Sequence, residues 1–200
     1  GVCGITLGAY TAGDSTSQEM EIQATYARAS EGSHSMVDRM IGASRLDVHI
    51  FEEVEADTSA TRQALSVVAL VALATGIASL GTTGLSGLFA GVVIAIAGWA
   101  IWAWILYLIG TKILPSHETR ADWGQLARTV GFAQSPGIFR VLGAVPVVGP
   151  IIFLVVSIWM LVAMVIAVRQ ALDYTSTWRA IGVVLLGFIP YVLLGYMAIA

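Results

Sequence analysis

The chain has 200 residues, 57% of them hydrophobic and 12% charged, with a mean hydropathy of +0.82; soluble domains carry about a quarter charged residues, so this composition excludes one. The apolar residues come in long blocks and not in the period-2 segments of an outer-membrane barrel. A net charge of −3 gives no electrostatic footprint for nucleic acid.

The expected fold class is therefore all-α, a polytopic helical membrane protein whose first partner is the lipid bilayer. Cys3 is the single cysteine, which rules out an intrachain disulfide. Residues 1–35 are rich in Gly, Ser, Thr and Ala, without a sustained apolar period. They lack the basic and apolar regions of a signal peptide, and Cys3 has no lipidation context. The chain opens on Gly1, and its character changes at Met36, which is the expected initiator. Residues 1–35 are read as a mobile tail upstream of it.

Residues 36–60 are expected to form an amphipathic juxtamembrane helix. At 100° per residue Val37, Met40, Ile41, Val48 and Phe51 share one face, with Asp38, Arg39 and Glu53 elsewhere. The polar face lacks the Lys/Arg density of a strong anionic-lipid binder. Glu52, Glu53, Glu55 and Asp57 form an acidic run, a candidate surface for a cation or a basic protein partner. A solvated charged face is the blander and favoured reading. Asp57, Thr58 and Ser59 offer N-cap chemistry to the helix that follows.

No residue between Arg62 and Lys112 is charged. About 20 apolar residues cross a bilayer, so this stretch is two spans and a turn. The first is Ala64–Leu80, and the turn is Gly81-Thr82-Thr83-Gly84. In the second, Gly87 and Gly91 make a GxxxG that Ala95 and Gly98 extend on nearly the same face. Small residues at this spacing allow close backbone approach, either to the first helix, the favoured partner, or to a second protomer in a homo-oligomer. Trp99, Trp102, Trp104 and Tyr107 read as an interfacial belt with packing roles; a quinone or pigment site is the sharper, less favoured alternative.

Residues 111–130 form a loop carrying Lys112, Arg120 and Arg128, with a short helix from about Asp122. His117 beside Glu118 has no third ligand at metal spacing and is read as surface. Residues 130–146 are a broken apolar segment, and clear spans follow, one ending at Arg169 and one closing the chain with a kink at Pro190. Charge decides the count. If residues 130–146 also cross, Arg169 and Arg179 fall on the side of Arg62, Lys112, Arg120 and Arg128, leaving Arg140 as the one exception to the positive-inside bias. Five spans are thus expected over residues 61–200, the third short and interrupted, with the amino terminus cytoplasmic and the carboxyl terminus outside. Arg140 becomes an intramembrane charge with no carboxylate in any other span. Snorkelling or backbone carbonyls are expected to satisfy it, in a structural role.

The run DWGQLARTVGFAQSPGIFRVLGAVPVVG and then IWMLVAMVIAVRQALDYTSTWRA resembles the Yip-type membrane domain (Ypt/Rab-interacting proteins), especially its bacterial members. Phe132, Ala133 and Pro136 match the aromatic–Ala–x–x–Pro opening of the family's third helix. Ile158 and Trp159 match its Ile-Trp, Arg169 the Arg after the fourth helix, and Arg179-Ala180 the opening of the fifth. The resemblance covers roughly residues 37–200 and implies five transmembrane helices with a cytosolic amino terminus. Asp47-Val48-His49-Ile50-Phe51 stands where eukaryotic members carry Asp-Leu-Tyr-Gly-Pro, which argues against a Rab-type GTPase partner.

The sequence offers no Ser/His/Asp set, HExxH, CxxC, Walker loop or intramembrane carboxylate pair, so no enzyme, cofactor or metal site is expected. The resemblance implies a non-enzymatic cell-membrane protein that organises membrane proteins or membrane trafficking through unidentified membrane or cytosolic partners. A small-solute transporter using Gln134, Arg140, Ser157 and the broken third helix is the alternative.

Overall fold

The computed structural model describes residues 34–116, 121–145 and 147–199. The expectations for the tail through residue 33 and for His117 and Glu118 fall on residues outside these. Gly1–Ser35 and Met36–Ala200 form separate units, and the architecture below is that of the second. Every regular element among the described residues is helical: α1 Met36–Ser44, α2 Val48–Ala56, α3 Ala60–Ala78, α4 Leu80–Leu108 with a π turn Ile109–Ile113, α5 Trp123–Phe132, a 3₁₀ segment Ser135–Ala144, α6 Gly149–Ala171 and α7 Thr177–Ile199.

Four helical stretches are long and apolar enough to cross a bilayer: Ala60–Ala78, Gly84–Ile113, Gly149–Ala171 and Thr177–Met197. This is a multi-pass membrane protein. Its outer surface carries Phe89, Val93, Ile94, Leu154, Val192 and Met197 in the open, a face that lipid tails cover and water would not.

The helix expected over residues 36–60 is two helices. Leu46 adopts a positive φ of 64°, a conformation that ends a helix for any branched L-residue. Asp47 then caps α2 by accepting from the His49 backbone N–H at 3.0 Å. Of the three residues expected to cap α3, Asp57 makes the bond. Ser59 itself has helical angles and no capping bond, while Asp57 Oδ1 accepts from the Ser59 N–H at 2.9 Å and from its hydroxyl at 2.6 Å. The connection between the first two spans runs from Ser79 to Gly84 and takes in the expected Gly81–Gly84 turn, and Gly84 (φ 66°, ψ −174°) breaks the helix there as only glycine does without strain.

Asp122 opens α5 with a full capping box, its side chain accepting from the Gln125 N–H at 2.8 Å while Gln125 Oε1 accepts from the Asp122 N–H at 2.6 Å. Ala133 and Gln134 interrupt the helix, and ten residues of 3₁₀ winding begin at Ser135, with Pro136, which has no N–H to donate, in the first turn. Runs of that length are uncommon. Packing explains this one. A Cβ placed on Gly131 would stand 2.8 Å from Ala64 Cβ, one on Gly137 2.5 Å from Val71 Cγ1, and one on Gly143 3.8 Å from Ala78 Cβ. The backbone of residues 131–143 thus lies alongside α3 over most of its length. Val147 (φ 72°) lies in the reversal into α6, whose Met160 and Ser157 pack back on Gly137 and Arg140.

Candidate functional site

Two polar clusters stand out, one at the α1–α2 end of the bundle and one inside it. At the α1–α2 end, the helical wheel puts Arg39 on the polar face of a surface helix; in the fold its side chain is 1% exposed. Its Nη2 donates to Asp57 Oδ2 at 2.7 Å, its Nε to Glu53 Oε1 at 2.9 Å and its Nη1 to Gln63 on α3 at 2.9 Å. A planar fork with several fixed donors suits this three-way clamp better than an ammonium would. Burial alone pushes the Asp57 carboxyl up, but the Ser59 and Arg39 hydrogen bonds and the Arg39 charge outweigh it and hold it below its ordinary value. Arg39 itself is held above its ordinary value, its bonds to Asp57 and Glu53 outweighing desolvation.

Arg128 of α5, also buried, donates from Nε to the Val54 carbonyl at 3.1 Å and from Nη2 to the Glu55 carbonyl at 2.5 Å. A cation on the last carbonyls of α2 complements both the unpaired acceptors and the helix dipole there. The acidic run is therefore built into the fold. Glu53 and Asp57 take Arg39, Glu55 accepts from Gln125 Nε2 at 3.1 Å, and Glu52, about half exposed, accepts from Gln170 of α6 at 2.9 Å. No local spacing marks these pairs, since Arg39 and Glu53 are 14 positions apart and Arg128 and Val54 74 apart.

Burial, then the neighbouring Asp173 carboxylate, push the Glu55 carboxyl from an ordinary 4.5 up to about 7, against the pull of Arg128. Between these two values the folded chain holds a proton that the unfolded chain has released, so stability falls as pH rises through that window and levels off above it. The thermal midpoint in detergent is expected to drop between about pH 5 and about pH 7.5. Glu55→Gln should flatten that slope; an unchanged slope would remove Glu55 as its source.

The inner cluster surrounds Arg140 on the 3₁₀ segment. Among the described residues its hydrogen-bond acceptor is a side chain rather than a backbone carbonyl. Its Nη2 donates to the Ser157 hydroxyl at 3.1 Å and the guanidinium carbon lies 4.5 Å from the Phe153 ring centroid. Among the described residues no group accepts from its buried Nε. The GxxxG face is close by. Gly87, Gly91 and Ala95 line a cavity of about 340 Å³ together with α3 residues and Arg140. A Cβ on Gly91 would meet nothing within 4 Å, whereas one on Gly98 would stand 3.0 Å from the Tyr191 hydroxyl.

The aromatic group of α4 divides. Trp99 is buried and donates to the Ala127 carbonyl at 3.0 Å, tying α4 to α5. Trp102 packs against Phe188 and Tyr191 of α7 at ring-centroid distances of 4.9 and 5.1 Å. Trp104 points outward and is half exposed.

The residues on which the family resemblance rests hold the bundle together. Phe132 and Ala133 are fully buried. Trp159 donates to the Ser44 carbonyl at 2.8 Å, anchoring the end of α1 to α6, and its ring stacks on Phe139 at 5.7 Å. Arg169 donates to the Tyr174 carbonyl, and Arg179 to the Pro115 carbonyl. A family profile described as Yip1 domain matches residues 48–197. The chain belongs to the Yip1-domain family. No curated protein and no solved structure matches it. In this Yip1 domain the match begins at Val48, the first residue of α2, so α2 and its clamp to α5 lie inside the matched region while α1 precedes it.

The Yip1 domain also joins its loops by tyrosine. Tyr174, in the joint between α6 and α7, donates its hydroxyl to the Leu114 carbonyl at 2.6 Å or the Gly110 carbonyl at 3.1 Å, at the end of α4. Among the described residues no group of three or more His, Cys, Asp or Glu side chains is placed to hold a metal ion.

Proposed function

We propose that this bacterial-type Yip1-domain protein is a non-enzymatic component of the cell membrane that organises other membrane proteins, or membrane traffic, through a docking face at its α1–α2 end. The observation that carries the proposal is the double clamp. Arg39 and Arg128 fasten two short helices to the bundle, and the outward side of those helices stays open. His49 and Glu52 are 90% and 54% exposed there, and Val37 and Ile41 are 58% and 46% exposed. A rigid, mixed polar and apolar surface needs little ordering on binding, which is what a protein interface rewards.

The same reading places five crossings in the chain, with the amino terminus cytoplasmic and the carboxyl terminus outside. The run of residues 131–143 alongside α3 supports a third crossing made of α5 and the 3₁₀ segment. Arg62, Lys112, Arg128, Arg169 and Arg179 then share one side, in line with the positive-inside bias.

One experiment tests both parts. A cysteine is appended after Ala200 in a Cys3→Ser background, intact cells are labelled from outside, and the protein is then affinity-purified in a gentle detergent. The expected result is a labelled terminus and a defined co-purifying partner that Glu52→Gln weakens, while the amide oxygen it keeps for Gln170 holds the shift in unfolding midpoint small. Glu53 and Glu55 are unsuitable for this purpose because they hold the fold. A solitary protein would sink the organising role, and a protected cysteine the five-crossing topology.

A further inference from the structure

Arg140 is a cation in an apolar bundle, and no Asp or Glu occurs anywhere in residues 58–116 or 123–172 to neutralise it. Among the described residues its one oxygen acceptor is the neutral Ser157 hydroxyl, and its buried Nε–H has none. Buried donors of this kind are rare, and a desolvated charge with an unused donor is costlier still.

The space around it has a matching shape. The cavity of about 340 Å³ beneath Gly87 and Gly91 reaches Thr75 and Ser79 at the end of α3. A second, of about 410 Å³, lies between the 3₁₀ segment, α4, α6 and α7. The two share Ala95, Gln134 and Arg140 as common wall. Apart from Arg140, Gln134 and Ser157, the wall of the larger one is mainly apolar and aromatic. Leu161, Phe188 and Tyr191 at its edge are 40%, 42% and 37% exposed on the lipid-facing surface. Its volume lies in the range of small-molecule sites, and it opens toward lipid.

We propose that this pair of cavities binds an anionic lipid of the bilayer, its phosphate or carboxylate oxyanion on Arg140 and an acyl chain along Leu161 and Phe188. A guanidinium fork is matched to an oxyanion that can accept two N–H groups at once, and the match supplies the negative charge that the spans lack. The apolar wall and the lateral opening select an amphiphile over a soluble anion. The site uses none of the groups of the α1–α2 docking face, so the two assignments stand or fall separately.

The test is native mass spectrometry of the purified full chain, titrated with phosphatidylglycerol, phosphatidylcholine, oleate or inorganic phosphate. One phosphatidylglycerol is expected to be retained, displaced by oleate, and not matched by phosphatidylcholine. Arg140→Met should weaken that retention at least about tenfold, the fold-change of one lost charge-assisted contact. Ala95→Leu fills the space common to both cavities, keeps Arg140, and should do the same. If Arg140→Met does not fold, Ala95→Leu decides between the outcomes. Equal retention of phosphatidylcholine, or unaltered retention in the variants, would overturn the proposal. Displacement by inorganic phosphate at the same concentration as oleate would reassign the site to a free anion and overturn the lipid.

Discussion

Gly131→Val is expected to cost about 3 kcal/mol or more of stability, at or beyond the upper end of what overpacking a core does. A Cβ at this position would stand 2.8 Å from Ala64 Cβ, 3.2 Å from Trp99 Nε1 and 3.4 Å from Ala64 Cα. The last of these is backbone and cannot swing aside. Two further methyl groups would push α5 off α3 and pull the Ala127 carbonyl away from Trp99, leaving a buried indole N–H without its acceptor. Gly91→Ala is the matched control. Its new methyl meets nothing within 4 Å, and alanine favours a helix over glycine, so the effect should be neutral or stabilising by up to about 1 kcal/mol. Reversible unfolding in mixed detergent micelles, followed by tryptophan fluorescence, measures both. A Gly131→Val protein as stable as the parent would mean that α5 and α3 do not approach as closely as described.

The second large effect is at Arg39. Arg39→Met keeps much of the side-chain length but removes the three donors that join α1 to Glu53, Asp57 and Gln63. Charged hydrogen bonds of this kind are worth about 1.5–3 kcal/mol each when a partner is left buried. Glu53 and Asp57 keep 24% and 28% side-chain exposure and can rehydrate in part, so a total of about 2–3 kcal/mol is expected, at or just below the range for a broken, fully buried ion pair. The loss should be local. Amide hydrogen exchange should rise in residues 36–57 while α6 and α7 stay protected, because those helices are held by their own packing. Arg39→Lys keeps the charge without the fork and should fall between the parent and Arg39→Met. Uniform exchange across the whole bundle would show instead that the clamp is part of one cooperative unit.

These two residues show where sequence reading stops. The GxxxG of α4 is visible because its glycines are spaced on one helix face, and spacing is a property of one element. Whether a glycine is tight depends on what lies opposite, and opposite Gly91 lies a cavity. Gly131, in a sequence of no special pattern, lies against Ala64 from a helix 67 positions away. Arg39 looks solvated by its place on the α1 wheel, and it is buried because Leu46 turns the chain and folds α2 back over it. Arg128 is legible as a loop-side positive charge; its bonds to the end of α2 are not.

The membrane-spanning character, the family and the approximate position of each apolar stretch follow from the sequence by itself. The cost of placing charge or unpaired backbone in hydrocarbon is so large that it writes long uncharged blocks into the chain. That Arg140 lies inside the bundle is equally legible, since it interrupts such a block. Only the tertiary structure decided how the polar residues are used. It divided the expected juxtamembrane helix at Leu46, wound residues 135–144 as 3₁₀, turned Glu53 and Asp57 of the acidic run into a clamp on Arg39, and set Arg140 between two cavities. Each of these is a relation between residues distant in sequence, fixed by packing geometry on the ångström scale, and composition and periodicity carry no record of distance.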